Sequence, residues 1–240
     1  MRLIDLNSDV GEAYGVWPGG PDDLLVPMLS SVNVACGFHA GDPGTMRRTV
    51  ELAVAHGCAV GAQVSYPDLA GFGRRFIDMA PADLTDAVIY QIGALEAFAR
   101  AQGARVAFVK PHGALYNAIV HHETQAHAVA AAVLRYRPDM PLLGLPGSVL
   151  EAVCAHDGVA FVAEGFADRA YTDEGTLVPR SQPGALITDT EVAAQQAVRL
   201  AGAGVRSMCV HSDTPGAPAI LAAVADALRV AGFTRSSFVS

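Results

Sequence analysis

Lys110 is the only lysine in a chain of 240 residues, and it lies in the stretch VKPHGALYN. His112 follows two residues later, and Tyr116 and Asn117 come next at near-helical spacing from it. An ammonium group at the buried end of a strand needs an anionic partner, such as Asp9 or a bound anion. We therefore predict that Lys110 and His112 are catalytic and that Tyr116 and Asn117 bind the substrate.

Two earlier stretches carry groups suited to acid–base or metal chemistry. NSDVGE contains Asp9 and Glu12, and SVNVACGFHAGD contains Asn33 and His39. An unpaired buried carboxylate is unfavourable, so Asp9 must face a cation, a donor or the open end of a sheet. An imidazole can transfer protons or ligate a metal. Asp9 and His39 join the predicted catalytic residues, and with His112 they form a donor set for zinc or another divalent ion.

Later loops carry arginines and acids that suit an anionic substrate. YPDLAGFGRR contains Tyr66 and Arg75, and EGFADRAY contains Glu164 and Arg169. A guanidinium group binds carboxylate or phosphate through paired hydrogen bonds. The predicted substrate-binding residues are Glu12, Asn33, Tyr66, Arg75, Tyr116, Asn117, Glu164 and Arg169.

Short apolar segments alternate with longer amphipathic ones along the whole chain. The apolar segments are nearly continuous in hydrophobic residues, which is typical of parallel strands covered on both faces. Glycine, proline and aspartate at the ends of the amphipathic segments indicate helices. The pattern predicts one α/β domain over residues 1–240. The predicted strands are residues 3–7, 31–36, 58–64, 105–110, 141–145, 159–164 and 207–211.

The loops distinguish between two ways of arranging these strands. An open doubly wound sheet brings together only the loops near its switch point. A closed barrel brings the carboxyl ends of all its strands to one mouth. Because polar and glycine residues follow six of the seven predicted strands, we predict a seven-stranded (β/α) TIM-like barrel whose mouth holds the site.

Composition narrows the expected partners and location. The net charge of −8 argues against nucleic acid as a partner, because phosphate binding needs a basic face. No apolar segment reaches transmembrane length, so we expect no membrane partner. The start MRLIDLNSDV has no signal-peptide pattern, and four scattered cysteines without C-x-x-C spacing indicate reduced thiols. These features predict a cytoplasmic protein, and they leave a homo-oligomer open.

Six ordered motifs between about Asp5 and about His211 resemble the LamB/YcsF lactam-utilisation family. The resemblance implies hydrolysis of 5-oxo-L-proline to L-glutamate, coupled to hydrolysis of ATP with Mg²⁺, by 5-oxoprolinase. It implies two further partner proteins, subunits B and C, and a barrel of the glycoside hydrolase/deacetylase type. Asp9, His39 and His112 match family motif positions. The motifs are DLNSDVGE, SSVNVACGFHAGDP, YPDLAGFGRR, YQIGAL, VKPHGALYN and EGFADRAYTDEGTLVPR.

The chain departs from the family pattern at two places. Most members have a cysteine where this chain has Ser8, and many have a His-Pro pair in place of Gln63 and Val64. The second change removes one histidine as a ligand or base. Two alternatives to the 5-oxoprolinase interpretation therefore remain: a stand-alone metal-dependent deacetylase or amidohydrolase, and a substrate-binding subunit that performs no chemistry itself.

Overall fold

The computed structural model describes residues 2–239 of the chain. Strands and helices alternate along it, as the sequence predicts. The strands are β1 (Arg2–Val10), β2 (Ser31–Ala35), β3 (Ala59–Val64), β4 (Val106–Pro111), β5 (Leu142–Gly144), β6 (Phe161–Phe166), β7 (Ser207–Cys209) and β8 (Phe233–Arg235). The helices are α1 (Asp22–Leu25), α2 (Pro43–Ala55), α3 (Pro81–Ala101), α4 (Gly113–Ala118), α5 (Glu123–Tyr136), α6 (Val149–Asp157), α7 (Thr190–Gly202) and α8 (Ala217–Val230).

Strands β1 to β7 form a closed barrel of seven parallel strands. Each strand pairs with the next, and β1 pairs with both β2 and β7, which closes the ring. The predicted seven-stranded TIM-like barrel is therefore confirmed. Strand β8 was not predicted; it pairs in parallel with the amino-terminal half of β1, outside the ring. Its three residues are too few to show a hydrophobic period.

Local sequence signals account for the helices between the strands. Asp42 precedes α2, and its carboxylate accepts hydrogen bonds from the backbone N–H groups of Gly44 and Thr45. Pro43 occupies the first turn, where its missing N–H leaves no hydrogen bond unmade. Among residues 2–239, none of the helices combines the length and apolar character needed to cross a bilayer.

The barrel interior changes from apolar at the bottom to polar at the mouth. Phe108 of β4 packs at the bottom with Leu143 and Val162, and Phe238 contacts its ring. The ring fits because the facing strand has Gly61, where a Cβ atom would collide with it. The amino-terminal half of the barrel is thus filled by side chains, which leaves the opposite end for chemistry.

The first strand lines the interior with three polar residues, Asp5, Asn7 and Asp9, which lie two residues apart and so share one face. The deepest, Asp5, accepts hydrogen bonds from the hydroxyl groups of Ser31 and Ser207. Burial raises the pKa of Asp5 to about 6, although these hydroxyl groups partly oppose the shift.

This raised pKa predicts a pH-dependent stability. Because the folded pKa exceeds the unfolded value of 3.8, the stabilising effect is present at lower pH and is lost as pH rises through about 6. Asp5→Asn cannot ionise, so its free energy of unfolding should rise relative to wild type by roughly 2–3 kcal/mol between pH 4 and 7.5. Urea unfolding at several pH values measures this difference.

The exposed loop residue Asp173 provides the control, because Asp173→Asn should follow the wild-type pH curve. A difference between Asp5→Asn and wild type that stays constant across this pH range would contradict the expected ionisation of Asp5.

Candidate functional site

Lys110 is buried at the carboxyl end of β4 and contacts four side chains. Its Nζ lies 3.0 Å from Asp9 Oδ1 and 2.9 Å from Glu164 Oε1. Weaker contacts reach Asn7 Oδ1 at 3.4 Å and Cys209 Sγ at 3.2 Å. The predicted anionic partner Asp9 is therefore present, and Glu164 is a second one.

The three charged groups stabilise each other against burial. Burial alone would raise the pKa of Asp9, but the charge of Lys110 holds it well below its usual value. Burial opposes the charged form of Lys110 as well, yet the carboxylates around it raise its pKa well above normal. Burial raises the pKa of Glu164, and Lys110 offsets only part of that shift. The result is a charged pair, Lys110 and Asp9, with Glu164 beside it.

Two histidine rings lie next to this charged group. His39 and His112 stack with their centroids 4.1 Å apart and their planes 15° from parallel. His112 Nδ1 is 3.9 Å from Asp9 Oδ2. Burial and the neighbouring His112 lower the pKa of His39 well below its usual value, so His39 is a neutral imidazole at physiological pH. The site thus places imidazole groups and a carboxylate within reach of one another.

The side-chain amide of Gln63 joins the two histidines to Glu12. Its Nε2 lies 2.9 Å from Glu12 Oε1 and 2.9 Å from His112 Nδ1. Its Oε1 lies 3.1 Å from His39 Nε2. Since an amide nitrogen only donates and an amide oxygen only accepts, His112 accepts at Nδ1 and His39 donates from Nε2. His112 Nε2 is then free to donate to the carbonyl of Phe72, 3.0 Å away.

Glu12 is the acidic group of this network. Burial, and then the charge of Asp9, raise the pKa of Glu12 to about 8. A carboxyl group with such a pKa keeps its proton at neutral pH and can serve as a general acid. Its Oε2 lies 3.5 Å from the hydroxyl of Ser212 in the loop after β7. Glu12 and Asp9, three residues apart, therefore hold opposite protonation states.

The loop formed by residues 65–80, after β3, covers the histidine pair. Its residue Gly73 has a positive φ of 65°, and a Cβ atom there would lie 3.0 Å from both His39 and His112. The carbonyl of Gly73 accepts a hydrogen bond from the backbone N–H of Ala114 at the start of α4. Only glycine allows this close approach, which explains the glycine between Phe72 and Arg74.

Three of the predicted substrate-binding residues border the charged group. Asn33 donates hydrogen bonds from Nδ2 to Asn7 Oδ1 at 2.8 Å and to Asp9 Oδ1 at 2.9 Å. Glu164 pairs with Lys110 as described above. Tyr116 is buried edge-on against Phe166, and burial and the charge of Glu164 raise its pKa well above normal.

Four other predicted substrate-binding residues bond elsewhere. The Tyr66 hydroxyl contacts Gln125, and Asn117 donates to a backbone carbonyl of its own helix. Arg75 pairs with Asp68 and its side chain is 66% exposed. Arg169 donates to the carbonyls of two residues in its own loop, Val178 and Ala185. These side chains stabilise local structure around the mouth.

Comparison with known proteins agrees with this architecture. The LamB/YcsF family model matches residues 4–240. A protein from Streptomyces avermitilis, named as the A-type subunit of 5-oxoprolinase, is 51% identical over 98% of this chain and all of its own length. One of the same name from Kocuria rhizophila is 53% identical over 99% of this chain and all of its own.

The chain belongs to the LamB/YcsF family.

Solved structures support the same assignment. A lactam utilization protein from Thermus thermophilus superposes with a TM-score of 0.92 at 43% identity, covering 98% of this chain and 100% of its own. A family 4 carbohydrate esterase from Streptomyces lividans has a TM-score of 0.54 at 15% identity, covering 100% of this chain and 93% of its own. At that identity the esterase shows the shared barrel alone.

Sequence reasoning missed two parts of the site in this LamB/YcsF protein. Gln63 was considered only as a lost histidine, yet its amide holds three functional groups together. The Asp168–His211 pair was not among the predicted site residues; His211 Nδ1 lies 3.0 Å from Asp168 Oδ1, and the imidazole stacks on Phe166. The available signal was the position of these residues at the carboxyl ends of predicted strands.

A metal ion has a suitable donor set in this LamB/YcsF protein, but not the one predicted. Glu12, His39 and His112 offer ligand atoms within 4.8 Å of one another. Asp9 lies outside that group because Lys110 holds it. His39 Nδ1 is buried and has no hydrogen-bond partner. The donor types fit a divalent ion, although the amide of Gln63 already bonds to all three residues and a metal must displace it.

The charged group predicts a large effect on stability. Lys110→Met removes the counter-charge of Asp9 and Glu164, and loss of one partner of a buried ion pair destabilises a protein by about 3–5 kcal/mol. Adding Glu164→Gln should recover part of this loss, because one buried carboxylate is then neutral. Urea unfolding measures the free energy of unfolding of each variant.

Arg47→Met is the matched control, since Arg47 pairs with Glu51 on the exposed face of α2. Removal of this surface pair should change stability by less than about 1 kcal/mol. Equal effects of Lys110→Met and Arg47→Met would show that the buried ion pair does not stabilise the barrel.

Proposed function

We propose that this protein is the A-type subunit of an ATP-dependent 5-oxoprolinase that hydrolyses 5-oxo-L-proline to L-glutamate. The names of its relatives at about half identity support this proposal. The structural observation that carries it is the buried Lys110, held between Asp9 and Glu164 at the barrel mouth. A fixed cation in a water-poor site stabilises negative charge that develops on a carbonyl oxygen.

The reaction needs activation because a lactam is a stabilised amide. Transfer of the terminal phosphoryl group of ATP to the carbonyl oxygen gives ADP and an activated ring. Water then adds to the carbonyl carbon, the carbon–nitrogen bond breaks, and the nitrogen takes a proton. A second water molecule releases phosphate and leaves glutamate.

The site offers a residue for each of these demands. Lys110 stabilises the charge on the phosphorylated oxygen, and Asp9 or His112 accepts a proton from the attacking water. Glu12, protonated at neutral pH, supplies the proton that the ring nitrogen takes. Gln63 keeps His112 and Glu12 at fixed positions relative to each other.

Partner proteins complete the proposed enzyme. The relatives are named as one subunit of an enzyme, and we propose subunits B and C as partners, with ATP supplied as its Mg²⁺ complex. The sequence contains no G-x-x-x-x-G-K-[ST] phosphate loop, because its only lysine is followed by proline. We therefore expect activity only from the assembled complex, located in the cytoplasm.

A metal-dependent amidohydrolase is the second candidate function, favoured by one observation. Glu12, His39 and His112 form a donor set that suits a divalent ion. A bound ion there would polarise a carbonyl group. A third candidate, a substrate-binding subunit without chemistry of its own, is distinguished by the catalytic variant described next.

We expect His112→Asn to lower kcat of the reconstituted complex by about a hundredfold or more, because it removes the candidate general base. The assay follows 5-oxoproline-dependent phosphate release and glutamate formation, first with this chain alone and then with subunits B and C. The control His156→Asn changes an exposed histidine on α6 and should retain wild-type kcat. Full activity of His112→Asn would favour a role in substrate binding alone.

Transition-metal removal separates the first two candidates. We expect treatment with a zinc-selective chelator to leave activity unchanged when Mg²⁺ and ATP are supplied, because the Gln63 amide already joins the three donors. Metal analysis of the treated chain confirms that the removal is complete. Loss of activity with the chelator, and its return with zinc or cobalt, would establish the amidohydrolase instead.

A further inference from the structure

Three loops meet above the buried site through one carboxylate. Arg74 Nη2 lies 2.5 Å from Asp213 Oδ2, and Arg180 Nη2 lies 3.2 Å from Asp213 Oδ1. Arg180 Nη1 also lies 3.2 Å from Asp213 Oδ2, so this guanidinium contacts both oxygens. Arg74 comes from the loop after β3, Arg180 from the loop after β6, and Asp213 from the loop after β7.

This cluster, defined here as the arginine pair with Asp213, lies next to the histidines and Glu12. Arg74 directly follows Gly73, which approaches both His39 and His112 as described above. Its guanidinium carbon lies 4.9 Å from the centroid of the Phe72 ring. Ser212, which precedes Asp213, contacts Glu12. The cluster is therefore the solvent-facing entrance to the acid–base network.

The charge at this entrance is unbalanced. Two guanidinium groups share one carboxylate, and a third cation, Arg169, is buried nearby. Burial, and then the charge of Arg180, lower the pKa of Arg169 to about 10. The chain as a whole carries a net charge of −8, so a local excess of positive charge marks this entrance as unusual.

The geometry also matches a bound oxyanion. A carboxylate that accepts hydrogen bonds from guanidinium groups is the arrangement by which arginines hold carboxylates and phosphates of ligands. Asp213 supplies that carboxylate from within the chain, and its side chain remains 32% exposed. An anion arriving from solvent can thus compete with Asp213 for the same donors.

We propose that Arg74 and Arg180 form the receptor for a small oxyanion, either the substrate carboxylate or a phosphate group, and that Asp213 occupies this receptor in its place. The assignment to a substrate carboxylate rests on the proposed function. It gives the anion-binding role to residues other than Arg75 and Arg169, whose guanidinium groups bond to Asp68 and to backbone carbonyls.

Isothermal titration calorimetry on the full chain tests this receptor with three probes: 5-oxoproline, inorganic phosphate, and 2-pyrrolidinone, which has the lactam ring but no carboxylate. Arg74→Gln and Arg180→Gln should each weaken 5-oxoproline binding by roughly tenfold to a hundredfold, the value of a hydrogen bond to a charged group. Neither should alter 2-pyrrolidinone binding.

Asp213→Asn should act in the opposite direction and tighten the binding of the anionic probe, because it removes the competing carboxylate. A gain in affinity cannot arise from misfolding, so this variant keeps the test decisive even if an arginine variant is unstable. Arg47→Gln, on the exposed face of α2, is the control and should bind as wild type does.

The outcomes are distinct. If the variants change the affinity for phosphate but not for 5-oxoproline, the receptor is confirmed and its occupant is a phosphate group. If wild type binds neither anion, or if the arginine variants bind both with unchanged affinity, the proposal is wrong. Failure of the assembled complex to hydrolyse 5-oxoproline would instead refute the proposed function, because the calorimetry requires no turnover.

Discussion

The ion pair between the Lys110 ammonium and the Asp9 carboxylate, with Glu164 as a second acidic partner, is the interaction on which the site depends. Charges in a protein interior are tolerated only when they are paired and hydrogen-bonded. The two acidic partners of Lys110 come from different strands, so the group forms only after the barrel has closed. Asn33 fixes the carboxylate of Asp9 from a fourth strand. Stability and candidate chemistry therefore rest on the same few groups.

The fixed charge of Asp9 also shapes the network beside it. A carboxylate that stays ionised discourages a second negative charge nearby, and Glu12 accordingly keeps its proton to higher pH. Gln63 then connects Glu12 with His39 and His112 without adding any charge. A neutral amide can donate and accept at once, which lets it satisfy three partners with different needs. The arrangement separates a proton acceptor from a proton donor by only a few ångströms.

Strand register explains why these residues meet. Parallel pairing places Asp9 opposite Asn33 and Gln63 opposite Lys110. Side chains two residues apart share a face, so an inward side chain near the carboxyl end of a strand meets its counterparts from the other strands at one level of the barrel. Loops on the same side then cover that level, and glycine permits their close approach at Gly73. The family relationship and the geometry point to the same end of the barrel.

The sequence by itself determined the class of fold, the seven barrel strands, the main helices and the gathering of Asp9, His39 and Lys110, because these follow from hydrophobic period, capping residues and the polarity of strand ends. Only the tertiary structure decided which partners each side chain takes. Arg75 and Arg169 bond to local groups, while Gln63 and Glu12 lie within the network. Sequence spacing shows where a side chain starts, but its partners lie on other strands, and their distances arise only from the closure and register of the barrel.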